Sequence, residues 1–160
     1  MRREVDTNIL LDLLGGDPAA RLTARGTLSA SLGGGTLVVC PVVYAELDAT
    51  FGQSQETERF LSDLGIELED FTREALRFTS AAWRAYTRRR GPRIQCARCG
   101  HHANFLCPAC QSPIAWRQHL ISDFLIGGHA TAQADALITR DVGYYRTYFP
   151  RLPLVVPGSG

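Results

Sequence analysis

Along the chain, short runs rich in β-branched residues alternate with longer stretches in which apolar residues recur every three or four positions. Such runs are the signatures of strands and of helices with one buried face. Arg3-Glu4-Val5-Asp6 reads as a short first strand, with Val5 its one apolar residue ahead of Asp6, and Thr7-Asn8-Ile9-Leu10-Leu11 then turns into a helix. Asp17-Pro18 breaks that helix and opens another over residues 18–32, proline being tolerated in a first turn, and Gly33-Gly34-Gly35 ends it. The apolar run TLVVCPVV, residues 36–43, predicts a strand buried on both faces, with a helix beginning at Tyr44-Ala45-Glu46-Leu47. Residues 56–64 look helical, and residues 66–68 form a short edge strand. A long helix is expected over residues 72–90, with Thr72 as its N-cap and Leu76, Ala81, Ala82, Trp83 and Tyr86 at helical spacing. Gly91-Pro92 marks a break before a cysteine-rich stretch. Helical pattern resumes from about residue 116 to 134, followed by strands at 136–139, just ahead of Asp141, and at 154–156.

Alternating strands and helices predict an α/β fold around a mostly parallel sheet. The cysteine stretch reads as an insertion, so the expected organisation is one discontinuous domain, residues 1–91 and 116–157, interrupted by a small module at 92–115. A chain of 160 residues, 45% hydrophobic and 21% charged, can bury one proper core. No apolar run is long enough to span a bilayer, and the first residues lack a signal-peptide pattern. A cytoplasmic protein without a membrane partner is therefore the expectation, and in a reducing compartment the five cysteines favour a metal over disulfides.

Net charge, +1 overall, conceals an asymmetry. Residues 75–122 hold eight arginines and no acid, whereas the remaining 112 residues carry nine arginines and sixteen acids. A basic block joined to an acidic body accompanies polyanion binding, although a solvated arginine-rich helix face accounts for such a run equally well.

Three acids are directed by topology to one edge of the expected sheet: Asp6 and Asp141 at strand ends and Glu46 in the helix after another strand. In open parallel sheets, ligands bind in the crevice outside the carboxyl ends of the strands. Asp123, near the start of a helix packed beside that sheet, can join them. Clustered carboxylates repel one another unless protonated or neutralised, and their hard oxygens suit Mg²⁺ or Mn²⁺. Singly, each has a plain role: Asp6 as a helix cap, Glu46 and Asp123 as first-turn acids, Asp141 as a turn residue. Asp12, Asp17, Asp48 and Asp135 are weaker candidates.

At these positions the sequence resembles the PIN-domain family, particularly the VapC-type toxin ribonucleases. The matching segments are Val5-Asp6-Thr7-Asn8-Ile9-Leu10-Leu11, Val42-Val43-Tyr44-Ala45-Glu46-Leu47, Ile121-Ser122-Asp123-Phe124-Leu125-Ile126-Gly127-Gly128-His129-Ala130, and Ala134-Asp135-Ala136-Leu137-Ile138-Thr139-Arg140-Asp141. The resemblance implies a three-layer α/β/α fold and a Mg²⁺- or Mn²⁺-dependent ribonuclease. Asp6, Glu46, Asp123 and Asp141 would bind the ion and activate water, with Thr7, Asn8 and Thr139 as supporting polar residues. It also implies an RNA substrate, a small antitoxin protein that blocks the acidic cleft, often by inserting an arginine, and a fold that commonly forms a homodimer. The rival readings are a DNA- or structure-directed nuclease and a non-catalytic RNA- or protein-binding adaptor of the same fold.

The insertion departs from ordinary members of that family. Cys96, Cys99, Cys107 and Cys110 form two C-x2-C knuckles seven residues apart, the donor set of a closed tetrahedral Zn²⁺ site, and resemble a short zinc ribbon. Four thiolates leave no open position, so this zinc is expected to be structural. Arg84, Arg88, Arg89, Arg90, Arg93, Arg98 and Arg117 surround the insertion and suggest a nucleic-acid arm, with a partner-docking arm or simple solubility as the competing readings. His129 is expected to be a packed core histidine and Cys40 a buried thiol. His119, one turn ahead of Asp123, is a weaker candidate for substrate contact, and Gly127-Gly128 is expected to pack closely on the sheet.

Overall fold

The computed structural model describes residues 1–15, 17–89, 94–95, 102–112 and 121–158. Five strands form one parallel sheet: β1 (Arg2–Val5), β2 (Thr36–Val39), β3 (Ile66–Leu68), β6 (Ala136–Ile138) and β7 (Leu154–Val155), in the order β3-β2-β1-β6-β7. The helices are α1 (Thr7–Leu14), α2 (Pro18–Leu32), α3 (Pro41–Phe51), α4 (Ser54–Asp63), α5 (Arg73–Arg89), α6 (Ile121–Gln133) and α7 (Val142–Tyr148). Two further strands, β4 (Ile94–Gln95) and β5 (His102–Ala103), pair with each other antiparallel, apart from the main sheet. Among the described residues no helix is long and apolar enough to cross a membrane.

Alternation along β1 shows how the layers form, because successive strand side chains point to opposite faces. Arg3 donates through Nη1 to the Ser31 carbonyl of α2, 2.7 Å away, while Glu4 meets His129 of α6 on the other face. Helices thus cover both sides of a sheet whose central strands carry Val5, Leu37, Val38, Val39, Leu137 and Ile138 fully buried. This is the three-layer α/β/α arrangement that the family resemblance implies, built on the mostly parallel sheet expected from the alternating pattern.

Several boundaries differ from the expectation for local reasons. The β2 strand stops at Val39, and Cys40 and Pro41 begin α3, so Val42 and Val43 are helical. Proline at the first helical position has φ already set and lacks only an N–H that the helix would leave unpaired. Glu46 consequently lies in the second turn of α3 and does not begin the helix. On α5 the buried face is Ala75, Thr79, Ala82 and Tyr86, and Leu76 is exposed. The short helix α7 is not anticipated by the pattern.

Gly127 and Gly128 do pack closely, but not against the sheet. A Cβ on Gly127 would lie 2.3 Å from the Phe149 ring, and one on Gly128 would lie 2.1 Å from Thr79 Oγ1 and 2.7 Å from the Ala75 carbonyl. Gly128 lets α6 approach α5, where Thr79 Oγ1 donates to the Phe124 carbonyl at 3.1 Å, and Gly127 makes room for Phe149. Because the backbone of α5 blocks the added atom, Gly128→Ala should destabilise the fold by about 1–3 kcal/mol, read as a lowered denaturant midpoint. An unchanged midpoint would show that the two helices are free to separate there.

Candidate active site

The carboxyl ends of β1 and β6 lie side by side, with Asp6 N donating to the Ile138 carbonyl at 3.0 Å. Asp6 also caps α1, in an extended conformation that points its carboxylate back along the helix end. It accepts from Asn8 Nδ2 at 2.9 Å and from Thr139 Oγ1 at 2.6 Å, both on Oδ2. Thr139, fully buried, is the node of the network. Its hydroxyl donates to Asp6 and accepts from Asn8 Nδ2 at 3.1 Å and from Asp141 N at 3.0 Å. One donor and two acceptor positions exhaust a hydroxyl, so Thr139 locks Asp6, Asn8 and the start of α7 in one geometry. Thr7 Oγ1 bonds Glu46 Oε2, tying α3 to the residue beside Asp6.

Asp123 enters through two tyrosines that the sequence pattern does not single out. Burial first, then the nearby charges of Asp123 and Asp141, push the Tyr144 hydroxyl well above its usual range. Tyr145 is raised likewise by burial, then by Asp6 and Asp123, and it hydrogen-bonds Asp6. Both therefore stay protonated beside the acids. Their positions three and four residues after Asp141, the N-cap of α7, bring each within one helical turn of it, a spacing visible in the sequence once a helix is assumed there.

Burial pushes the Asp6 carboxyl above its usual range. Hydrogen bonds from Thr139, Asn8 and Tyr145 oppose the rise, and the Asp141 charge adds to it. Asp6 is buried, Glu46 and Asp123 are half-buried, and Asp141 is exposed, so the group opens from the sheet edge toward solvent. Among the described residues no three carboxylate, histidine or cysteine side chains close into a ready-made metal cage. The donors nonetheless suit a hard divalent cation: they are carboxylates, and the Asp141 charge adds to the cost of charging buried Asp6, which a cation relieves. Mg²⁺ in particular binds through one or two carboxylates, keeps several waters and completes its shell with substrate phosphates.

Other candidates resolve into structural roles. Asp12 Oδ2 pairs with Arg140 Nε at 3.0 Å, and Arg140 N reaches Asn8 Oδ1 at 3.3 Å. Asp17 caps α2, Asp48 accepts from Ser54 and Thr57, and Asp135 accepts from Arg2 N. His129 is buried against Glu4, and Cys40 is fully buried with its thiol pushed up by burial and by the Glu4 charge.

Arg84, Arg88 and Arg89 are exposed on α5, whereas Arg90, Arg93, Arg98, Arg117 and His119 lie outside the described residues, as do Cys96 and Cys99. Cys107 and Cys110 sit in one turn, closed by Gln111 N donating to the Cys107 carbonyl at 2.8 Å, and both are free thiols. Hydrogen bonds from Ser112 and then Cys107 hold the Cys110 thiol below its usual range, which favours the thiolate a metal would need.

A family model described as PIN domain matches residues 4–150. The crystal structure of VapBC2 from Rickettsia felis bound to a DNA fragment from their promoter aligns with a TM-score of 0.65 and 15% identity, covering 98% of this chain and 99% of that one. A toxin-antitoxin complex from Klebsiella pneumoniae aligns with a TM-score of 0.57 and 18% identity, covering 96% and 95%. At these identities the likeness concerns the fold. No curated protein matches the chain.

Proposed function

The chain belongs to the PIN-domain family, and from that premise we propose that it is a VapC-type endoribonuclease working with Mg²⁺ or Mn²⁺ at Asp6, Glu46, Asp123 and Asp141. The observation that carries this reading is the Thr139 node, which joins Asp6 to Asp141 N beside two tyrosines that sense Asp123. When bound, such an ion lowers the pKa of a coordinated water and stabilises charge on the scissile phosphodiester. Thr139 and Asn8 hold the Asp6 carboxylate in place, Thr7 holds Glu46, and the paired tyrosines exclude water from the buried side. RNA as the substrate rests on the family resemblance. So does a small antitoxin partner, supported by folds found in toxin-antitoxin complexes.

The test is cleavage of matched RNA and DNA strands with Mg²⁺ or Mn²⁺ by the purified chain. Cutting of RNA alone is expected. Cutting of DNA instead would move the substrate class, and no cutting of either would leave a binding adaptor.

The insertion at 92–115 has a separate role in this proposal: Cys96, Cys99, Cys107 and Cys110 hold a structural Zn²⁺ that folds a segment too small for its own core. The spacing carries this assignment, supported by the Cys107–Cys110 turn. One equivalent of zinc is expected by elemental analysis, lost in Cys107→Ser and retained in Asp6→Asn. Zinc retained in Cys107→Ser would remove the site.

A further inference from the structure

Helix α5 carries four exposed arginines, Arg73, Arg77, Arg84 and Arg88, on one line. At 3.6 residues per turn they fall within about 60° of arc and span about 22 Å. Among the described residues none has a carboxylate within ion-pair distance, whereas Arg2 and Arg140 are both paired. Local helix energetics accounts for only part of the stripe. Arg88 lies in the last turn, where the helix dipole favours a cation, but Arg73 opens the first turn, where the dipole opposes one.

The stripe also has a direction. Thr72 N donates to Gln133 Oε1 at 2.8 Å, at the far end of α6, while Trp83 and Tyr86 pack on Phe124 beside Asp123. The two helices therefore run antiparallel, and the C-terminal end of α5, which carries Arg88, lies beside the start of α6, which carries Asp123. Between the two arginine pairs the helix shows Ser80 and Ala81, both small and exposed, with no aromatic anchor of the kind that protein interfaces use. Arginine forks match phosphate oxygens bidentately.

We propose that Arg73, Arg77, Arg84 and Arg88 form a backbone track for single-stranded RNA, leading the strand along α5 to the cleft at Asp123. The assignment rests on the ribonuclease reading for its substrate and adds a surface that this reading lacks. A track of this kind reads no bases. It supplies the cations that an acidic cleft needs before a polyanion will approach it.

The experiment measures anisotropy of a labelled single-stranded RNA with the full chain, in an Asp6→Asn background so that the strand is not cut, over a range of salt. With Arg73→Gln, Arg77→Gln, Arg84→Gln and Arg88→Gln combined, the slope of log K against log salt should flatten by roughly three, at about 0.7 for each phosphate no longer neutralised. The same four positions changed to lysine should keep the slope. The pairs Arg73→Gln with Arg77→Gln, and Arg84→Gln with Arg88→Gln, should each produce about half of that flattening. An unchanged slope in the glutamine variant overturns the track, as does failure of the parent chain to bind RNA. Binding of a poly-glutamate peptide more tightly than RNA, abolished in the glutamine variant, would assign the stripe to an acidic protein segment and overturn it too. A parent that binds RNA through the stripe but cuts no nucleic acid sinks the nuclease reading while leaving the track.

Discussion

Asp6→Asn is expected to lower the rate of metal-dependent strand cleavage by at least about a hundredfold, because removing a direct ligand should cost no less than the 10–100-fold typical of groups one layer further out. The substitution preserves shape, and an amide oxygen can still accept from Thr139 and Asn8 where Asp6 Oδ2 now does. What it removes is charge. The folded-state carboxyl of Asp6 is raised by burial, so its contribution to stability is fully present below the unfolded pKa and is lost as pH rises through the folded one. At neutral pH the metal-free protein therefore bears a cost that asparagine does not, and thermal stability should hold or rise as activity falls. Loss of both together would indicate that the fall in cleavage reports unfolding and not the loss of a metal ligand. Unchanged cleavage would remove it from the reaction.

The second large effect concerns stability. Glu4 and His129 are both fully buried and bonded to each other across the sheet–helix boundary. Phe71 packs edge-on against the imidazole at 5.5 Å, and the Cys40 thiol bonds the carboxylate. Burial raises the Glu4 carboxyl, and His129 is the main influence holding it down. His129→Ala removes that influence and leaves a carboxylate in the core, which should destabilise the fold by about 3–5 kcal/mol at neutral pH. Losing the partner raises the folded pKa of Glu4 further, so the variant's stability is retained below the unfolded carboxyl pKa and declines as pH rises through the new value. Denaturant titrations at acidic and neutral pH should show the deficit shrinking in acid. A deficit independent of pH would mean that the loss is one of packing alone.

Glu4 also marks a limit of reading strands from pattern. The first strand looks short, with Val5 as its one apolar member, and nothing in the pattern marks Glu4 as buried. Its burial depends on a histidine 125 positions away, and no local period reports that. Similarly, the apolar character of residues 36–43 was legible, but the switch from strand to helix inside it hinged on Pro41. Gly127-Gly128 signalled close approach; which neighbour approaches was decided by the pairing of α6 with α5.

The placing of Asp6, Glu46 and Asp141 was readable because strand ends and the helices after them are local features, and a parallel sheet brings its carboxyl ends to one edge whatever the strand order. Local periodicity and turn residues likewise determined the α/β class and the element sequence apart from α7. Only the tertiary structure decided that Thr139 is a saturated node between Asp6 and Asp141, that Tyr144 and Tyr145 stand among the acids, and that α5 runs antiparallel to α6 with its C-terminal end beside Phe124. The physical reason is range. Propensity and hydrophobic period act over a few residues, whereas hydrogen-bond saturation, charge coupling and the direction of a helix face are set by atoms that chain folding alone brings together.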